Sequence, residues 1–85
     1  MRIDRLLCFL RFVRTRSAAR KLVDEGHIRL NGERVIRASR DIAAGDVLTL
    51  PLGKTVRLVE VLSLPERRGL PREAQECYRE LDPGA

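Results

Sequence analysis

With 85 residues the chain has room for one small domain, so any activity must fit on a single compact surface. Hydrophobic residues at 44% and charged residues at 34% suit a soluble folded protein better than a disordered one. The formal charge of +5 favours a polyanionic partner, and the two cysteines, Cys8 and Cys77, lack metal-ligand or redox-motif spacing and read as unpaired thiols.

The N-terminal stretch MRIDRLLCFLRF is too short and too charged for a signal peptide, and no apolar run approaches a membrane span. A cytoplasmic protein is expected. Apolar residues at Ile3, Leu6, Leu7, Leu10 and Val13 define one helical face, with Arg2, Arg5 and Arg11 turned away from much of it, and predict a first helix from about Asp4 to Phe12. VRTRS breaks that period, and Thr15 or Ser17 offers a hydroxyl to cap a second helix running to about Glu25. Its buried stripe is Ala18, Ala19, Leu22 and Val23, and Gly26 supplies the left-handed residue that ends it.

Strands follow. HIRL and ERVI flank Asn31-Gly32, a pair that tolerates the positive φ angles of a two-residue type I′ hairpin. Ala44-Gly45-Asp46 turns the chain into VLTLP, and Leu52-Gly53-Lys54 turns it into TVRLVEVLSL, which Pro65 ends. A basic elbow, ERRGL, then leads to Pro71 at the first turn of a final helix, with Ala74, Cys77, Tyr78 and Leu81 at helical spacing. The expected fold is α+β: two N-terminal helices packed on a small antiparallel sheet of four or five strands, over residues 1–64, followed by the elbow and an amphipathic C-terminal helix over 65–85.

The charge lies on one side of this plan. Residues 1–40 hold eleven basic and four acidic side chains, net +7, whereas residues 41–85 hold six basic and eight acidic, net −2. Fifteen of the seventeen cations are arginine, whose planar fork matches phosphate geometry and stacks on bases. The start of the second helix adds unpaired backbone N–H groups and the positive end of a helix dipole, with Arg14 and Arg16 flanking it and Arg20 and Lys21 one turn on. Arg5 and Arg11 face the same groove if the two helices cross closely, an approach that the small Ala18 and Ala19 permit. Such a ledge suits the phosphates of a folded duplex. Phe9, Phe12 and Tyr78 are the only aromatics, too few for a base-stacking platform, and they are expected at the core or its edge.

RIDRLLCFLRFVRTRSAARKLVDEGHIRLNGERV resembles the RNA-binding domain named after small-subunit ribosomal protein S four, the αL motif, through the ordered set Arg2, Asp4, Arg11, Thr15-Arg16-Ser17, Ala19-Arg20, Gly26 and Asn31-Gly32. The tail ERRGLPREAQECYREL is similar to the free-standing fifteen-kilodalton heat-shock RNA-binding group and its ribosome-quality-control relatives. This resemblance implies binding to ribosomal RNA on a large subunit blocked by a nascent chain attached to tRNA. It places Arg2, Arg5, Arg11, Arg14, Thr15, Arg16, Ser17 and Arg20 against RNA, Lys21 and Arg37 at the margin, and gives Gly26, Asn31 and Gly32 conformational roles. The group often carries aromatics in the first helix where this chain has Leu6 and Cys8.

Catalysis finds no support in the residues. His27 is the one histidine, and Asp24 and Glu25, adjacent on a helix, point in different directions and make a poor carboxylate pair. No cofactor, metal or small-molecule substrate is expected, and a monomer is the default. The alternatives are binding of another structured RNA and a protein-interaction module in which the C-terminal helix docks on a partner. An anionic membrane surface would need a more apolar helix face.

Overall fold

The computed structural model describes residues 1–81. Three helices, α1 (Ile3–Phe9), α2 (Arg16–Asp24) and α3 (Pro71–Glu76), accompany five strands: β1 (Arg29–Leu30), β2 (Glu33–Arg34), β3 (Val47–Leu52), β4 (Thr55–Val61) and β5 (Tyr78–Leu81). The strands form one sheet in the order β2-β1-β3-β4-β5, antiparallel throughout, so the fold is α+β as the sequence predicts.

Strand alternation places the core. Leu48 and Leu50 of β3 and Val59 and Val61 of β4 are fully buried on one sheet face, and register sets Leu48 opposite Val59. Ile3, Leu6 and Leu7 of α1 and Ala19 and Val23 of α2 close over that face in a single buried cluster. Ala18 and Leu22 are half-buried at its margin. Phe9, Phe12 and Tyr78 are half-buried at the core edge, with the Phe12 and Tyr78 rings 4.8 Å apart.

Both N-terminal helices end in the same way. At the end of α2 the Gly26 amide donates to the Val23 carbonyl (2.9 Å) and the His27 amide to that of Leu22 (3.3 Å), a Schellman stop with Gly26 at φ +78°. At the end of α1 the Arg11 amide donates to the Cys8 carbonyl (3.1 Å) and the Phe12 amide to that of Leu7 (3.0 Å), with Arg11 at φ +65°. The first helix therefore stops at Phe9, three residues before the Phe12 that its apolar period predicts. An arginine holds the position where glycine normally announces the stop.

The hairpin forms as expected, with Asn31 at φ +50° and Gly32 at φ +87° between Leu30 and Glu33. Asn31 also ties the hairpin to β3, since its carboxamide donates to Asp46 (3.1 Å) and accepts from the Val47 amide (2.9 Å).

The C-terminal region departs from the sequence reading. A helix does begin at Pro71, but it ends at Glu76, and Tyr78–Leu81 is a strand paired with β4. The apolar spacing of Ala74, Cys77, Tyr78 and Leu81 fits a helix locally. A free sheet edge decides otherwise: Arg79 meets Glu60 directly across the ladder, and Glu80 meets Arg57 on the diagonal, so the polar residues of YREL match β4 charge for charge. Residues 82–85 of the expected helix lie outside the described residues. Among the described residues no helix is long and apolar enough to cross a membrane.

Candidate nucleic-acid interface

α2 begins where a phosphate is welcome. Thr15, not Ser17, is its cap, and the Thr15 hydroxyl accepts the Ala18 amide at 3.1 Å. Helix geometry leaves the amides of Arg16 and Ser17 without an intrahelical acceptor, and no acidic side chain lies in the first turn.

Asp4 organises the arginines around that end. Its carboxylate is fully buried inside a cage of three guanidinium groups: Arg2 donates to both carboxylate oxygens at 3.1 and 3.2 Å, Arg16 donates at 3.4 Å, and Arg20 lies at ion-pair distance, 3.7 Å. The three guanidinium-bearing side chains remain about half exposed, at 44, 50 and 58% respectively, so each holds one edge on Asp4 and presents another to solvent. Burial alone would push the Asp4 carboxyl up, but the Arg2 hydrogen bond and the charges of Arg16 and Arg2 outweigh it and hold the group below the usual carboxylate range. One negative charge against three positive ones leaves a surplus of two.

The position of Asp4 follows from the start of α1. That helix has no side-chain cap, and its first amides are satisfied instead by the loop after β2: Ile3 donates to the Arg40 carbonyl (2.8 Å) and Asp4 to that of Ala38 (3.2 Å). This clamp seats Asp4 beneath the start of α2.

The structure brings together Arg2, Arg16 and Arg20, with Thr15 and Ser17 exposed at the same helix end. Arg14 is exposed just before the cap, and Lys21 is exposed in the last turn of α2. Arg5 and Arg11 do not join the cage. Arg5 lies over the Phe9 ring (5.1 Å), and Arg11, carried off the helix by its left-handed backbone, donates to the Gly69 carbonyl (3.1 Å). Arg37 is exposed on the loop after β2. Gly26 is required by its φ of +78°; a Cβ there would also meet the Arg34 guanidinium, the far end of a flexible exposed side chain that can move aside. His27 is exposed, 3.5 Å from Glu25, and among the described residues no group of three potential metal ligands occurs.

Sequence reasoning ranked the cations and gave Asp4 no role of its own. The available signal was a lone acid one turn before Leu7, on the flank of an apolar stripe and inside a strongly basic stretch.

An α+β fold with a cationic helix end defines a class of phosphate-facing domain. The S4 domain profile matches residues 1–48, and the chain belongs to this RNA-binding family. It is similar to the Heat shock protein 15 homolog of Haemophilus influenzae, at 32% identity over 96% of this chain and 62% of that protein. It is likewise similar to the RQC P-site tRNA stabilizing factor of Bacillus subtilis, at 35% identity over 78% of this chain and 76% of that one. Small ribosomal subunit protein uS4 of an Anaeromyxobacter species is 38% identical over 99% of the chain, which spans only 39% of that protein's length. Among solved structures, the trimeric Heat Shock Protein 15 of Vibrio cholerae superposes with a TM-score of 0.90 at 33% identity, covering 95% of this chain and 81% of that one.

Proposed function

We propose that the chain is a non-catalytic RNA-binding protein that grips structured ribosomal RNA on the large subunit when that subunit is blocked by a nascent chain still attached to tRNA. One observation carries the RNA part: three half-exposed arginines held on buried Asp4 beside the open first turn of α2. Arginines already fixed at one edge have less freedom to lose when a phosphate binds the other. Contacts of this kind position the protein on a backbone without reading sequence, and the 2′-hydroxyl helps to exclude DNA.

Arg2, Arg14, Thr15, Arg16, Ser17 and Arg20 form the centre of the interface in this reading, with Arg5, Arg11, Lys21 and Arg37 around it. The ribosomal part draws support from the similarity to a heat-shock protein and to a factor named for stabilising P-site tRNA. The protein acts as a cytoplasmic monomer and needs no cofactor. A protein-interaction reading draws on Leu62, Leu64 and Leu70, all exposed in the C-terminal third.

Sucrose-gradient cosedimentation with small subunits, empty large subunits and large subunits carrying peptidyl-tRNA tests the proposal. The expected result is migration with the obstructed large subunit, lost in Arg16→Ala/Arg20→Ala. Migration with none of the particles overturns the ribosomal role, and undiminished migration of the double variant favours the protein-interaction reading.

A further inference from the structure

The loop after β2 bounds a recess of about 480 Å³ whose lining includes Glu33, Arg34, Ile36, Arg37, Ser39 and Arg40. Its volume falls in the range of small-ligand sites, about 300–1,000 Å³. The recess adjoins the Asp4 cage, because the same loop supplies the Ala38 and Arg40 carbonyls that clamp the start of α1. A turn closed by the Arg40 amide on the Arg37 carbonyl (3.1 Å) sets those two arginines at its rim.

Two features of this recess call for an occupant. Arg2, Arg16 and Arg20 share Asp4, but Arg34, Arg37 and Arg40 have no carboxylate within ion-pair distance among the described residues. Ile36, between two of them, is 74% exposed, more than any other large apolar side chain described. Unpaired arginines around an exposed isoleucine suit a ligand that is anionic at one end and apolar on a flat face.

We propose that the recess takes a single unpaired nucleotide extruded from the RNA whose backbone the α2 end grips; the inference rests on the RNA reading above. Ile36 and a guanidinium plane cover the base, and the remaining arginines take its flanking phosphates. Glu33 and Ser39 meet the polar edge of the base, where Glu33 accepts an N–H. β2 is an edge strand, so its outward backbone groups face the same ligand rather than another strand.

Two RNA hairpins with one stem sequence, one fully paired and one carrying a single bulged adenosine, test this. Each is titrated into the isotope-labelled protein while amide shifts are followed, and affinities are measured by fluorescence anisotropy at one salt concentration. Both RNAs are expected to shift amides of residues 15–21, and only the bulged RNA those of 34–40, with the bulged RNA bound about tenfold tighter. Ile36→Ser/Arg37→Ala/Arg40→Ala, three exposed positions, brings the two affinities within about twofold, whereas Arg16→Ala/Arg20→Ala weakens both RNAs and keeps their ratio. Equal binding of the two RNAs, or a preference that survives the triple variant, overturns the recess and leaves the RNA reading intact. Absence of shifts with either RNA overturns both.

Discussion

Arg16, the first residue of α2, places its guanidinium 3.4 Å from the carboxylate of Asp4, twelve residues earlier and fully buried in α1. Asp4→Asn keeps the shape of the side chain and removes the charge that Arg2, Arg16 and Arg20 share. A loss of about 1–3 kcal/mol in unfolding free energy is expected, at the scale of hydrogen bonds to a charged group, because the arginines are half in water and can turn outward. Urea denaturation at neutral pH measures it.

The same pair gives a pH dependence. Asp4 ionises at lower pH in the folded protein than in the unfolded chain, so the unfolded chain takes up its proton first as acid is added. The stabilising contribution is complete above the ordinary carboxylate value, about pH 4, and is lost as pH falls through the depressed folded value. Thermal unfolding between neutral pH and pH 2 is expected to show a steeper acid decline for the wild type than for Asp4→Asn.

Phosphate contact by the caged arginines appears in salt dependence. Arg16→Ala and Arg20→Ala are each expected to weaken binding to any structured RNA and to flatten the slope of log affinity against log salt by roughly one unit. Anisotropy titrations at several salt concentrations measure it. An unchanged slope in the double variant removes these side chains from the interface.

The two matched helix stops are expected to respond in opposite directions. Gly26→Ala forces a side chain into the left-handed region and against Arg34, and costs about 1–2 kcal/mol. Adding Arg34→Ala recovers little, since the exposed guanidinium can swing aside and the backbone strain stays. Arg11→Gly relieves the corresponding strain at the end of α1 and raises stability by up to about 1 kcal/mol, less whatever the Gly69 hydrogen bond contributes. Denaturant midpoints of the variants decide both.

The C-terminal residues are expected to support the fold. Tyr78→Ala, which strips a half-buried ring from Phe12, costs roughly 1–3 kcal/mol. Deletion of residues 66–85 costs more than that, because it also bares the β4 edge and removes the Arg68 bond to the Cys8 carbonyl. A deletion with an unchanged urea midpoint would show that this strand is dispensable.

Positions that demand a particular residue were legible in the sequence. Asn31-Gly32 and Gly26 announce positive φ because few other residues adopt it, and the hydroxyls of Thr15 and Ser17 announce a cap without deciding between the two. The end of α1 was hidden because Arg11 occupies a conformation its chemistry does not advertise. β5 was hidden because its pairing depends on Arg57 and Glu60, some twenty residues away, while the local spacing favours a helix. Composition pointed to the cations of the candidate interface, but not to their grouping: Asp4 selects Arg2, Arg16 and Arg20, and the early stop of α1 sends Arg11 to the C-terminal elbow.

The Arg68 bond to the Cys8 carbonyl spans sixty residues, whereas the Asp4 cage and its backbone clamp draw only on the first forty. During synthesis at about 5–20 residues per second, some 3–12 s separate the appearance of Cys8 from that of Arg68. Every residue of the arginine cage and of its clamp is thus made before β3 and β4, whose Leu48, Leu50, Val59 and Val61 complete the core under α1 and α2. The last strand and the elbow are added to a candidate interface whose parts are already present.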